Sequence, residues 1–269
     1  MLPGTIKRLA LRFLPDRMLQ KLKKIHYAKA LRAASENGEP DLKIVRHLVG
    51  PGNHVIDIGA NFGVYTKFLA ELVRPNGRVY SIEPVPLTYE ILTANLKRLK
   101  LCNVEPFNLA ISDDDGEVRM EVPPYASGGE NFYEAHIIRM PSISGMRAIE
   151  VQARALDSLF GHLRTIDFVK CDVEGHELAC LRGAASLLAR FKPAWLIEIS
   201  GNPDNGRSPA GEVFQLLSQH GYMPFWFDGL HLRQRERGDR SINYFFLTRG
   251  HIRLIPEDLM RSWPIARAA

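Results

Sequence analysis

The chain has 269 residues, 45% of them hydrophobic and 24% charged, which suits one globular domain with an extension and a sizeable core. Its net charge of +5 is uneven: residues 1–32 carry nine Lys/Arg against Asp16, and the remainder holds 26 basic and 29 acidic residues, which argues against a nucleic-acid-binding main domain. No apolar run approaches the ~20 residues of a spanning helix, basic residues from Lys7 onward break any signal-peptide centre, and Cys102, Cys171 and Cys180 lack framework or zinc spacing, as expected for reduced thiols in a cytoplasmic protein.

Residues 1–47 read as a basic helical extension, with Pro15-Asp16 as a cap and Met18, Leu22 and Ile25 on one face. "ENGEP" (36–40) breaks the pattern, and a short helix around 41–49 ends at Gly50-Pro51-Gly52. From Val55 strands and helices alternate: strand 55–58, helix 63–73, strand 77–84, helix 86–100 and strand 104–112. After an interruption the pattern resumes with strand 166–175, helix 176–190, strand 194–200 and helix 210–220. Two aromatic strands, 222–227 and 242–248, close the series across a charged loop. Such alternation predicts a mostly parallel sheet with helices on both faces. The last two strands, with no helix between them, predict one antiparallel strand. Between about 113 and 155, two strand-like stretches flank a Gly-, Pro- and Ser-rich run, which predicts an insertion at the sheet's rim. The expected organisation is an extension at 1–47, a domain at 48–250 and a tail at 251–269.

The stretch "VIDIGANFGVYTKFLA" (55–70) passes from apolar strand through a glycine turn into a helix. In open α/β sheets ligands sit beyond the carboxyl ends of strands, which is where this loop lies. Dinucleotide loops present Gly-x-Gly-x-x-Gly to a pyrophosphate. Here Asn61 replaces the middle glycine, and Asp57 precedes Gly59 by two residues. A carboxylate there repels phosphates and suits a cofactor with positive charge, such as S-adenosylmethionine with its sulfonium and ammonium. The second strand ends in Glu83, placed to accept hydrogen bonds from ribose hydroxyls.

These segments resemble those of class I S-adenosylmethionine-dependent methyltransferases, and more narrowly the FkbM family. The matching stretches are "VIDIGANFGVYT" (55–66), "VYSIEPVPLTYEILTANL" (79–96), "LAISDDDGEV" (109–118), "ALDSLFG" (155–161) and, most specific, "IDFVKCDVEGHELACLRGA" (166–184). The resemblance covers roughly residues 50–200. It implies a Rossmann-like, seven-stranded α/β fold and O-methylation of sugar or natural-product hydroxyls. It also implies that Asp57, Gly59, Asn61 and Gly63 form the cofactor loop, that Glu83 binds ribose, and that Asn108 and Ala110 lie beside the adenine.

Methyl transfer to oxygen needs alignment and a base near a weakly acidic hydroxyl. "DVEGHE" (172–177) ends the fourth long strand and faces the crevice. Asp172 is a strand-end acid on the cofactor side, Glu174 a loop or acceptor contact, and His176 a first-turn histidine whose pKa a helix start would lower. His176 has two open readings, base or structural residue, and Glu177 reads as a helix cap. Glu198, an acid within an apolar strand, is a candidate acceptor contact. Paired with Asp172 it would also suit a hard cation, but two visible ligands are too few, and no metal site is expected. Asn131, Tyr133 and His136 in the insertion are candidate acceptor contacts.

Two rival readings share this sheet: an NAD-dependent oxidoreductase or epimerase, and a non-catalytic cofactor-binding module. The expected partner is a small-molecule or glycan acceptor. The basic segment 4–32 is open to two readings, a helical cap packed on the domain and peripheral attachment to an anionic membrane surface.

Overall fold

The structure, a computed structural model, describes residues 16–123, 135–138 and 147–261. Two helices lead in, α1 (Asp16–Ala33) and α2 (Leu42–Leu48). Strand β1 (His54–Ile58) then begins the sheet, followed by α3 (Val64–Leu72), β2 (Arg78–Ile82), α4 (Pro86–Leu99) and β3 (Val104–Phe107). The chain returns with β8 (Phe168–Cys171), α6 (Glu177–Arg182), α7 (Ala185–Arg190), β9 (Ala194–Glu198) and α8 (Pro209–Gln219). It finishes with β10 (Met223–Phe227), β11 (Leu232–Gln234), β12 (Asn243–Leu247), α9 (Arg249–Ile252) and β13 (Met260–Arg261). Between β3 and β8 lie β4 (Ala110–Ile111), β5 (Gly116–Val122), β6 (His136–Ile138), β7 (Arg147–Arg154) and α5 (Leu156–Phe160).

The main sheet runs β13-β11-β10-β12-β9-β8-β1-β2-β3. Strands β9, β8, β1, β2 and β3 are parallel, β12 is antiparallel to β9, and β10 is antiparallel to β12. The seven strands expected from the sequence are therefore present, with one correction. The charged loop after β10 folds back as β11, which recruits β13, so among the described residues nine strands form the sheet and three of them run against the parallel set. The turn is an Asp228-Gly229 hairpin whose carboxylate accepts from the Leu230 and His231 amides, and Leu232 beyond it is fully buried.

The central strands are buried on both faces, and their period of two sorts side chains into separate cores. Val55, Val79, Phe168 and Leu196 face α2, α3 and α4. Ile56, Ile58, Ile82, Val169, Cys171, Trp195 and Ile197 face α5 to α8. The expected strand 104–112 divides at Asn108 because β4 joins a second sheet, ordered β4-β7-β5-β6, whose small core contains Ala110, Met120, Val151 and Ala153 together with Val85 of the main body. The expected helix 176–190 also divides, at Gly183-Ala184. There the Asp157 carboxylate accepts from the Ser186 and Leu187 amides and starts α7.

The start of the chain holds a reversal. Met18, Leu22 and Ile25, the periodic apolar face of α1, are exposed. The opposite face docks on the domain: Leu31 is buried, Tyr27 stacks near Phe62, and Lys24 pairs with Glu90 on α4. Helix α2, by contrast, belongs to the core through Leu42, Ile44, Val45 and Leu48. Residues 251–261 add buried Ile252 and Ile255 and the edge strand β13.

The junction between α6 and α7 is testable. A Cβ at Gly183 would lie 2.2 Å from the Ser112 carbonyl oxygen, whereas one at Gly50 meets nothing within 4 Å. Gly183→Ala is expected to cost about 1–3 kcal/mol by overpacking, lowering the melting temperature by roughly 2–10 °C. Gly50→Ala should leave the melting temperature within about 2 °C of wild type.

Candidate active site

The parallel sheet fixes where a ligand belongs. From β1 the chain moves outward to β2 and β3, then returns to the other side of β1 as β8. The carboxyl ends of β1 and β8 are thus the switch point, the crevice that open α/β sheets use for ligands. The loops after these strands touch there. A Cβ on Gly59 (φ +74) would lie 1.8 Å from the Asp172 carbonyl oxygen, so only glycine fits. The Asp172 amide donates to the Ile58 carbonyl, and the Gly59 and Ala60 amides donate to the Ile82 carbonyl.

A cavity of about 580 Å³, part of it open to solvent, lies above this junction. Gly59 and Asn61 line it from the β1 loop, Glu83 and Val85 from the β2 loop, Leu109 and Ala110 from the β4 region, and Asp172 and Glu174 from the β8 loop. A further wall comes from the second sheet: Met120 on β5, Ile137 on β6 and the neighbouring Ala135. The described part of the insertion therefore closes the side nearest Glu83 and Ala110. Asn131 and Tyr133 lie outside the described residues, and His136 is a half-buried member of β6.

Glu83 is buried, with each oxygen occupied by a backbone donor: Asn61 N–H to Oε2 and Val85 N–H to Oε1, both at 2.9 Å. Burial raises its pKa to about 7 against the lowering effect of those amides. Asn61 sits at φ +53, and its Oδ1 is buried without a hydrogen-bond partner beside the cavity. Asn108 braces the wall, donating to the Glu83 and Pro84 carbonyls. Gly63, in the left-handed region, starts α3 and packs beneath Leu92.

Asp57 is placed differently from the sequence expectation of a contact to a cationic ligand. Strand alternation turns its side chain to the α3 face, fully buried and absent from the cavity wall. There Oδ2 accepts from the Thr66 hydroxyl at 2.5 Å. The same alternation puts Lys170 and Glu198 on that face. The Lys170 ammonium lies 3.0 Å from Asp172 Oδ2 and 4.8 Å from the centre of the Tyr65 ring. Burial pulls the lysine pKa down, but Asp172 and Asp57 outweigh it, so the net shift is upward. Burial raises Asp57 against the lowering effect of Lys170.

Asp172, Glu174 and Glu198 converge, with one oxygen from each within 4.8 Å of the others. Burial, then the neighbouring Asp172, lifts Glu198 to a pKa of about 7. Glu39 and Asp41, from the break before α2, reach the field of Lys170. Burial is the main cause of the raised pKa of each, and Asp41 also accepts from Asn243 at 2.8 Å.

His176 does not join this group. It occupies the N-cap position of α6, its Nε2 lies 3.0 Å from the Ser112 hydroxyl, and it is not among the cavity-lining residues. Glu177 accepts from the Gly175 amide in the turn that starts the helix.

Several site residues escaped sequence reasoning. Lys170 had a signal, since a lysine inside an apolar strand needs a buried partner, and Asp172 lies one strand period beyond it. Met120 showed only strand-like alternation, Ile137 lies in the Gly-, Pro- and Ser-rich run, Glu39 sits in the 36–40 break, and Asp41 falls at the start of the short helix read at 41–49.

Lys170 is the ammonium that the described structure sets among Asp57, Asp172 and Glu198. Lys170→Met is expected to destabilise by about 3–5 kcal/mol near pH 7.5, the usual cost of leaving buried charge unpaired. Without the cation, the Asp57 pKa rises further above its unfolded value. The variant's deficit should therefore shrink as pH falls toward 5. Urea midpoints of both proteins at the two pH values check this.

Comparison with known proteins adds the family. The model of the Methyltransferase FkbM domain matches residues 57–224. The hexuronic acid methyltransferase AglP of Haloferax volcanii is 29% identical over 164 residues, covering 61% of this chain and 60% of that protein. The 31-O-demethyl-FK506 methyltransferase FkbM of Streptomyces tacrolimicus is 35% identical over 83 residues, 31% of each chain. The match thus spans about three-fifths of the length of the first relative and a third of the second. A solved structure of methyltransferase FkbM from Methylobacillus flagellatus KT aligns with a TM-score of 0.48 at 16% identity, over 84% of this chain and 59% of that one. With the family model covering more than half of its length, including the β1 loop, Glu83 and the β8 loop, the chain belongs to the FkbM methyltransferase family.

Proposed function

We propose that the protein is an S-adenosylmethionine-dependent O-methyltransferase acting on a hydroxyl of a sugar, glycolipid or natural product. The observation that carries this reading is a buried carboxylate, Glu83, on one wall of the switch-point cavity and an acidic group, Asp172 and Glu174, on another. The named activities of the two relatives, on a hexuronic acid and on a demethylated FK506, support this acceptor class.

The residues present suit the cofactor. Glu83 retains acceptor capacity for ribose hydroxyls, and the unpartnered Asn61 Oδ1 offers a second acceptor. Val85, Leu109, Ala110, Met120 and Ile137 form apolar walls for the base. Bound S-adenosylmethionine supplies an electrophilic methyl group on its sulfonium. The chain's contribution is to orient the acceptor, which by alignment alone is worth ~7–11 kcal/mol, and to receive the hydroxyl proton. We assign that proton to Asp172, held by Lys170 at the cavity edge with Glu198 beside it.

S-adenosylhomocysteine should bind the wild type with a dissociation constant near the micromolar level, roughly −8 kcal/mol. Ribose hydroxyls donate best to an ionised Glu83. Binding therefore favours the deprotonated form of a group whose pKa is about 7. Affinity should rise roughly tenfold between pH 6 and pH 8. Glu83→Gln should weaken binding by about 10–100-fold at pH 8 and flatten the pH dependence. Calorimetric titration measures both, and absence of wild-type binding would sink the reading. Asp172→Asn should lower kcat by about 10²–10⁴ while keeping the affinity for S-adenosylhomocysteine within threefold. Single-turnover methylation of a hydroxyl acceptor compares the two proteins.

A further inference from the structure

We infer that the outer face of α1 is a docking surface for an anionic lipid bilayer. Among its described side chains, the helix packs on the domain through one side. Leu31 is 1% exposed, Tyr27 meets Phe62 with ring centres 5.2 Å apart, and Lys24 pairs with Glu90. Lys67 adds a bond to the Leu31 and Ala34 carbonyls. The other side carries Met18 (51% exposed), Leu22 (46%) and Ile25 (49%). At about 100° per residue these three fall within an arc of roughly 60°, and exposed Lys29 and Arg32 continue the same stripe. An apolar stripe ending in cations is the pattern of a helix lying in a membrane interface.

Charge selects the occupant. Residues 1–32 hold nine Lys/Arg and one acid, while the rest of the chain is slightly acidic. An anionic surface complements that segment, and each basic residue near it adds attraction. A second copy seated on the stripe would bring two such basic segments together, and like charges disfavour that pairing. No helix among the described residues is long and apolar enough to cross a membrane, so the contact is one of lying on the surface.

The placement also connects to the cavity. Phe62, which Tyr27 touches, follows the cavity-lining Asn61, and the segment after α1 delivers Glu39 and Asp41 to the field of Lys170. Docking through α1 would hold the cavity beside the bilayer, where a lipid-borne hydroxyl acceptor is presented. That last step rests on the methyl-transfer reading, whereas the docking itself does not.

The test is co-sedimentation of the full chain with vesicles of phosphatidylcholine alone and of phosphatidylcholine with phosphatidylglycerol. Wild type should sediment with the mixed vesicles at low salt, lose most of that binding at high salt, and stay in the supernatant with phosphatidylcholine. Changing Met18, Leu22 and Ile25 together to Ser should cut binding at least about tenfold at unchanged melting temperature, since all three side chains already face solvent. Lys29→Glu with Arg32→Glu should do the same. A wild type that stays in the supernatant at low salt overturns the proposal. So does a triple-Ser variant that sediments like wild type, because charge alone would then explain binding. A wild-type dimer in sedimentation velocity that the Ser variant converts to monomer would assign the stripe to a second copy and overturn it as well.

Discussion

A single buried ammonium organises the site. Lys170 lies at the end of a strand covered on both faces, where an unpaired charge would cost several kcal/mol. It is stabilised only because Asp172 stands one strand period beyond it and Asp57 lies beside it on β1. Those acids are tolerated for the same reason in reverse. Desolvation pushes Asp57, Glu39, Asp41 and Glu198 toward their neutral forms, and the lysine opposes that push in each. The cluster is therefore one coupled unit. The acids at the cavity's edge are positioned by a group that sits beneath it.

The geometry of the sheet explains why the unit forms where it does. The chain reverses its direction of growth at β1, so the loops after β1 and β8 meet with no strand between them. Gly59 permits their contact by lacking a Cβ that would strike the Asp172 carbonyl. Alternation then divides the labour between faces. Asp57, Lys170 and Glu198 point toward the α3 face, while Ile56, Ile58, Val169, Cys171 and Ile197 bury against α5 to α8. The polar unit occupies one face, and the apolar core on the other holds the strands in register beneath it.

The second sheet gives the cavity its remaining wall. Its core includes Val85 of the main body, and the Val85 amide is one of the two donors to Glu83. The insertion is thus packed onto the same turn that carries the buried Glu83 carboxylate. Met120 and Ile137, direct partners across β5 and β6, meet the cavity from above. The described part of the insertion thus closes the apolar side of the cavity, while Asp172 and Glu174 line an acidic side with Glu198 close by.

Local chemistry was enough to read the sheet elements, the glycine turn at 59–63, Glu83 at its strand end and the acids of "DVEGHE", because strand period, turn residues and strand-end placement are all short-range properties. The resemblance to the FkbM family was legible for the same reason, as it rests on contiguous motifs. What the sequence left open needs contacts between distant segments. Whether Asp57 points into the cavity or beneath it depends on which face α3 covers. His176 meets Ser112, 64 positions away, only because β4 lies beside the start of α6. The apolar stripe of α1 predicts a buried face, yet burial went to Tyr27 and Leu31, because helix periodicity states that a face exists and only the neighbouring surface of α4 and the β1 loop decides which face is covered.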